Sequence, residues 1–207
     1  MTANRLAPDG TFTALPRRGQ FMGNRGCLHD ASGAIRRKHA GKLWITCTLR
    51  PKPSRGKVAQ STPGRYTPLF FLDEAVAAAA GHRPCAECRR AAYNDFRYAW
   101  TRAFGQTEKA AAVDNRLHAA RFDRKTRQPV RHIADLSTLP FGSFIVLHGQ
   151  PHLVQEEALC PWHPEGYAPA IAKPAGLVTV LTPEPVVQVM RAGWRPLLSA
   201  QDDRPSW

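Results

Sequence analysis

Long apolar runs are missing from this chain. No stretch approaches the roughly 20 residues that a membrane-spanning helix needs. The opening MTANRLAPDGTFTALPRRGQ holds no apolar core of signal-peptide type. A membrane partner is therefore not expected, and a cytoplasmic location is. Acidic residues are scarce where basic ones crowd, with 13 Lys/Arg against two Asp/Glu over residues 1–68. There is no Gly-rich phosphate loop and no G-x-S-x-G nucleophile elbow, so two common local signatures of enzymatic chemistry are excluded. Internal repeats are lacking too. Cysteine is present but odd in number: Cys27, Cys47, Cys85, Cys88 and Cys160. An odd count with one C-x-x-C favours a metal site over a disulfide framework.

What is present is a chain of 207 residues, 43% hydrophobic, with 18 Pro and 15 Gly. That suits one large domain or two small ones with many turns. The net charge of +13 is uneven. Residues 69–134 carry 12 Lys/Arg and seven Asp/Glu, whereas residues 135–207 carry four and seven. A basic first two-thirds points to an anionic partner, nucleic acid and DNA in particular, and the mildly acidic last third to a different task. The expected organisation is a loose N-terminus over 1–20, a basic zinc-binding α+β module over 21–132 and a β-rich module over 133–207. The fold class is α+β: a small strand/helix module around zinc with two further helices, then a small barrel-like or sandwich-like β module.

Hydrophobic periodicity supports that division. KLWITCTL, residues 42–49, alternates as a strand, with Leu43, Ile45 and Cys47 on one face. Residues 50–68 are Pro-, Ser- and Lys/Arg-rich and read as a basic loop. Asp73 is placed to cap an Ala-rich helix that Gly81 ends. Tyr93, Phe96, Trp100 and Phe104 form one apolar stripe on a helix over 88–104, a core face more than a stacking platform. Thr107 is placed to cap a second helix over 108–123. FIVLHG turning into HLVQ predicts a hairpin, residues 177–181 a strand, and residues 185–192 a short helix. Cys160 and His163 are read as structural.

The strongest chemical signal is Cys85-Ala86-Glu87-Cys88, set at a tight turn entering a helix. Two thiols at that spacing supply half of a tetrahedral zinc site, and a helix N-terminus favours their negative charge. For the other half the residue types point to Cys47 and one of Cys27 or His29, which stand two apart in FMGNRGCLH. Cys47 is equally a candidate nucleophile or a buried packing residue. Arg36, Arg37, Lys38, Arg55, Lys57, Arg89, Arg90, Arg97 and Arg121 are the candidate phosphate contacts. Asp114 and His118, one helical turn apart, form with His132 an alternative metal-dependent nuclease or phosphodiesterase site.

Residues 69–90, LFFLDEAVAAAAGHRPCAECRR, resemble the second half of the Ada-type zinc module, the methyl-phosphotriester domain at the N-terminus of bacterial adaptive-response proteins. The resemblance rests on Phe70 or Phe71, the helix over 75–81, Arg83, Pro84, Cys85 and Cys88. It spans about a tenth to a quarter of the chain, depending on whether residues 44–49 are included. It implies zinc binding and DNA contact, in repair or regulation. In that family a first cysteine pair, separated by three residues, completes the site and one of its thiolates accepts a methyl group. Here the residue four after Cys47 is Pro51, so the pair is missing. An alkyl-acceptor thiol at Cys47 is the second function that the resemblance implies.

Overall fold

The computed structural model describes residues 3–14, 19–49, 66–123, 125–126 and 128–199. Within them the class is α+β, four α-helices with two sheets. The first sheet is built from β1 (Arg5–Leu6), β2 (Phe12–Thr13), β3 (Phe21–Asn24), β4 (Ile45–Thr48), β5 (Leu69–Phe71) and β6 (Arg83–Pro84), in the order β2-β1-β5-β3-β4-β6. β3 pairs antiparallel with both neighbours, Phe21 standing opposite Thr48 on one side and Phe71 on the other. The fit requires Gly23, since a Cβ there would lie 2.2 Å from the Ile45 carbonyl oxygen.

The N-terminus differs from the expectation of a loose segment over 1–20. β1 runs parallel to β5, with Arg5 opposite Phe70, and Leu6 is buried. Two-residue strands are too short to leave an alternation in the sequence, and this pairing is made across more than 60 residues of chain.

β5 leads into α1 (Glu74–Ala79), every residue of which is buried. Asp73 caps it, accepting from the Val76 N–H at 2.9 Å. Gly81 ends it with φ +86. α2 (Arg90–Phe104) buries Tyr93, Phe96, Ala99 and Trp100 as the stripe predicts, and Gly105 closes it in the left-handed conformation. α3 (Ala110–Arg121) starts later than expected. Lys109 stands at its cap position without a side-chain bond, while Thr107 meets the Thr101 hydroxyl instead.

The second sheet comprises β7 (His132–Asp135), β8 (Phe144–Leu147), β9 (Gln150–Val154), β10 (Ala158–His163), β11 (Gly166–Tyr167), β12 (Ile171–Ala172) and β13 (Leu177–Val180). Its order is β11-β10-β9-β8-β13-β7, with β12 also on β10. β7 and β11 lie at its ends, so among the described residues it is an open sheet and not the barrel that the sequence allowed. The predicted hairpin forms at β8–β9, where His148 and Gly149 both take positive φ. α4 (Glu184–Arg191) follows β13 and packs on α2 and α3.

The change of texture near residue 133 marks the passage from the first sheet to the second, but the two share a core. Leu6, Phe71, Ala75 and Val76 pack in one cluster with Phe144, Leu153, Cys160 and Trp162. A second cluster joins Phe96, Trp100, Val113 and Leu117 to Val186, Val189, Met190 and Trp194 of the α4 region. Polar contacts cross as well, since Asp73 accepts from the Tyr167 hydroxyl at 2.7 Å and from the Ser199 N–H at 3.2 Å.

Candidate metal centre and the basic surface beside it

β4 and β6 run parallel, with Ile45 opposite Arg83 and Thr46 opposite Pro84. The Cys85 N–H continues the ladder, donating to Thr46 O at 2.9 Å. This register sets Cys85 beside Cys47. The chain then closes one turn, with the Arg89 N–H on Cys85 O at 3.1 Å, and enters α2. The result is a three-sulfur group, Cys47, Cys85 and Cys88, whose Sγ atoms all lie within 4.8 Å of one another. Alternation along β4 explains the orientation of Cys47. Trp44 and Thr46 are buried, whereas Leu43 is half exposed and Cys47 is partly exposed on the same side of the strand.

The thiols hold one another in an uneven charge state. Hydrogen bonds from the Cys47 and Cys88 side chains draw Cys85 far below the usual thiol range, and the backbone N–H groups of Cys88 and Glu87 add to this. Cys47 is pushed up by its contacts with Cys85 and Cys88 and by burial. Around a metal at about 2.3 Å, tetrahedral sulfurs stand about 3.8 Å apart, inside the 4.8 Å that bounds the group. The group is therefore able to hold a metal ion.

The structure does not bring Cys27 and His29 into this group. Cys27 Sγ lies 3.7 Å from His29 O, and His29 Nδ1 lies 2.6 Å from the Thr67 hydroxyl. Both belong to the loop between β3 and β4, which packs against Thr67. A spacing of two on an extended segment gave them a common direction but could not say towards what. Outside the described residues the sequence holds no further Cys or His.

The alternative trio is likewise dispersed. Both Asp114 oxygens are held by Arg83, through Nε and Nη2 at 2.8 Å each, with the pair almost wholly buried. His118 packs edge-on to His39, at 5.0 Å between ring centroids, and near Trp44. His132 lies on β7 opposite Val180, in the other sheet. Asp114 and His118 do share α3, but the carboxylate serves an ion pair.

The basic candidates separate by burial. Arg37, Lys38 and Arg90 are exposed. Arg36 is exposed and paired with Asp30, and Arg97 is half-buried with Nη1 on the Tyr93 hydroxyl. Arg89 does not face solvent. It pairs with Glu74 in the interior and stacks over Phe21. Arg121 is also buried. Arg55 and Lys57 lie outside the described residues. Sequence reasoning passed over Arg25, a buried cation in a Gly-punctuated loop, where nothing in the local pattern signals burial.

Among the described residues, no helix is long and apolar enough to cross a membrane. No family model matches the chain, nor does a curated protein or a solved structure.

Proposed function

We propose that this chain is a zinc-binding, DNA-associated protein with an Ada-like thiolate site. The observation that carries the reading is the convergence of Cys47 with Cys85 and Cys88 across one parallel ladder. Three thiolates suit zinc, and the backbone N–H groups directed at Cys85 support the charge that zinc-bound sulfur carries. With no fourth sulfur or imidazole in the group, the fourth position is open to solvent or to a ligand. Exposed Arg37, Lys38 and Arg90, with Arg36 beside them, are the residues to meet phosphate, helped by the overall charge of +13. The test is metal analysis of the purified chain beside duplex binding measured against salt. One zinc per chain, lost in Cys85→Ser, is expected, together with a falling affinity as salt rises. Full zinc content in Cys85→Ser removes the site, and a flat salt dependence removes the phosphate contacts.

A second reading is favoured by the position of Cys47 on the open side of β4. As an alkyl acceptor, its thiolate attacks the methyl carbon of a phosphotriester. An S–C bond forms, the C–O bond breaks, and the phosphodiester anion leaves. Intact-mass measurement after exposure to methylated DNA decides it. A gain of one methyl group on Cys47 is expected, and no gain ends this reading while leaving the zinc site intact.

A further inference from the structure

A cavity of about 280 Å³ lies at the other end of β4 from the cysteines, between Phe12, Trp44, Phe122 and the end of α1. It meets a wider recess, with Phe12, Lys38 and Phe122 lining both. Among the described residues four cations line the cavity: Arg25, Lys38, Arg121 and Arg131. Against them stands one acid, Asp9, whose two oxygens are engaged by the Thr11 N–H and hydroxyl at 2.8 Å each.

Among the described residues none of these arginines forms an ion pair with a carboxylate, although the Asp9 charge acts on Arg131. Among the described residues Arg25 donates only to neutral acceptors, Ala80 O at 2.8 Å, His82 Nε2 at 3.3 Å and Lys38 O at 3.5 Å. Arg121 donates to Lys42 O at 3.0 Å, and its Nε and Nη2 have no hydrogen-bond partner among the described residues. Its nearby acid, Asp114, is already held at both oxygens by Arg83. Arg131 donates to the Asp9, Val130 and Leu181 carbonyl oxygens. Both Arg25 and Arg121 stack on Trp44, at 3.9 and 4.8 Å from the ring centroid. Burial and mutual repulsion lower the affinity of Arg25 for its proton, and burial brings Arg121 down to about 9. His82 between them is held neutral, by burial first and then by the two guanidiniums. Two buried like charges, with Asp114 shared between Arg83 and Arg121, are costly, and an anion in the adjoining space offsets that cost. The remaining walls are apolar and flat, Phe12 and Phe122 with Pro129 and Pro183. A cationic back with aromatic sides is the chemistry that receives a phosphorylated ring.

We propose that this cavity binds one nucleotide unit, its phosphate towards Arg25, Arg121 and Lys38 and its base between Phe12 and Phe122. The unit comes either from a free mononucleotide or from a single strand whose base is turned out into the cavity. The inference extends the nucleic-acid reading above but fails separately from it, because mononucleotide binding reports on the cavity and duplex binding on the outer surface.

The test is calorimetric titration of the zinc-loaded full chain with inorganic phosphate, adenosine, adenosine 5′-monophosphate and a six-nucleotide single strand. The monophosphate is expected to bind at least tenfold more tightly than either phosphate or adenosine. Lys38→Glu and Phe122→Ala are each expected to weaken it by tenfold or more with zinc content unchanged. Lys38 is exposed, so its variant keeps the fold even where Arg121→Met does not. A single strand that binds more tightly than the monophosphate, and is displaced by it, assigns the source as a strand. A single strand with no advantage assigns it as the free nucleotide. No monophosphate binding at millimolar concentration in natively folded protein overturns the proposal. So does equal binding of phosphate alone, or affinity unmoved by both variants.

Discussion

Replacing Asp114 by Ala should destabilise the chain far more than it alters any chemistry. The Asp114 carboxylate receives Arg83 through two bonds of 2.8 Å, and the two side chains are only 10% and 4% exposed. The Arg83 backbone belongs to β6 and leads straight into Cys85, while Asp114 sits on α3, so the pair ties the metal turn to that helix. Alanine strands a guanidinium in the interior. Arg121 is close enough to Asp114 and Arg83 to feel both charges, so the loss is compounded by repulsion. Removing one partner of a buried pair costs about 3–5 kcal/mol. For a chain of this size that is a fall in melting temperature of roughly 6–20 °C. Taking both charges away, as Arg83→Met with Asp114→Leu, should recover most of it, because the desolvation penalty goes with them. Urea unfolding of the single and double variants, with zinc content measured alongside, is the assay. A cost below about 1 kcal/mol for Asp114→Ala, or a double variant no more stable than the single, refutes the reasoning. The experiment also guards against a false assignment, since a catalytic reading of Asp114 would mistake unfolding for lost activity.

Cys47→Ser should lower zinc occupancy and Cys27→Ser should leave it unchanged, as read by metal analysis after dialysis; equal losses would place Cys27 in the site. Asp73 is raised to about 6 by burial, against hydrogen bonds from Val76, Tyr167 and Ser199 that oppose the shift. Its folded value lies above the unfolded 3.8, so its favourable contribution is complete below pH 4 and is lost as pH rises through 6. Asp73→Asn should therefore gain about 3 kcal/mol relative to the parent between pH 4 and pH 7, whatever its offset at pH 4. Parallel stability–pH curves for the two proteins would contradict this. Gly81→Ala should destabilise by about 1–3 kcal/mol, because φ is +86 and a Cβ would lie 2.9 Å from the Arg121 side chain; thermal melts measure it.

The sequence was most legible where one physical rule acts over a few residues. The aromatic stripe of α2, the Asp73 cap and the turn between β8 and β9 all formed where periodicity and turn chemistry put them. Cys85 and Cys88 were legible for the same reason, since their spacing is itself the local geometry. Cys47 required a further step, because only the β4–β6 register brings it to them. Cys27 and His29 failed at that step: their spacing was right and their loop packs elsewhere. The arginines were least legible. A guanidinium reads the same in sequence whether it meets solvent, as Arg90 does, or is turned inward onto Glu74, as Arg89 is one residue earlier. Burial depends on what closes over the side chain, and for Arg89 those partners are Glu74, on α1, and Phe21, on β3, the latter more than 60 residues away.

The parallel pair of β4 and β6 joins the two features on which function is argued. Its carbonyls alternate as anchors: Trp44 O accepts the Arg83 N–H at 3.2 Å and Thr46 O accepts the Cys85 N–H at 2.9 Å. One end of this short ladder carries Trp44, with Arg25 and Arg121 stacked on it, and the other carries the sulfur group. A pairing this short is weak alone, since β6 itself is only two residues long. A metal ion held by Cys47, Cys85 and Cys88 would add a cross-link that hydrogen bonding at this length does not supply. The Arg83–Asp114 pair braces the same strand from α3. On this reasoning such an ion would do more than hold its own turn. It would fix the strand that presents Trp44, and so keep the buried guanidiniums at a constant distance from the cysteines.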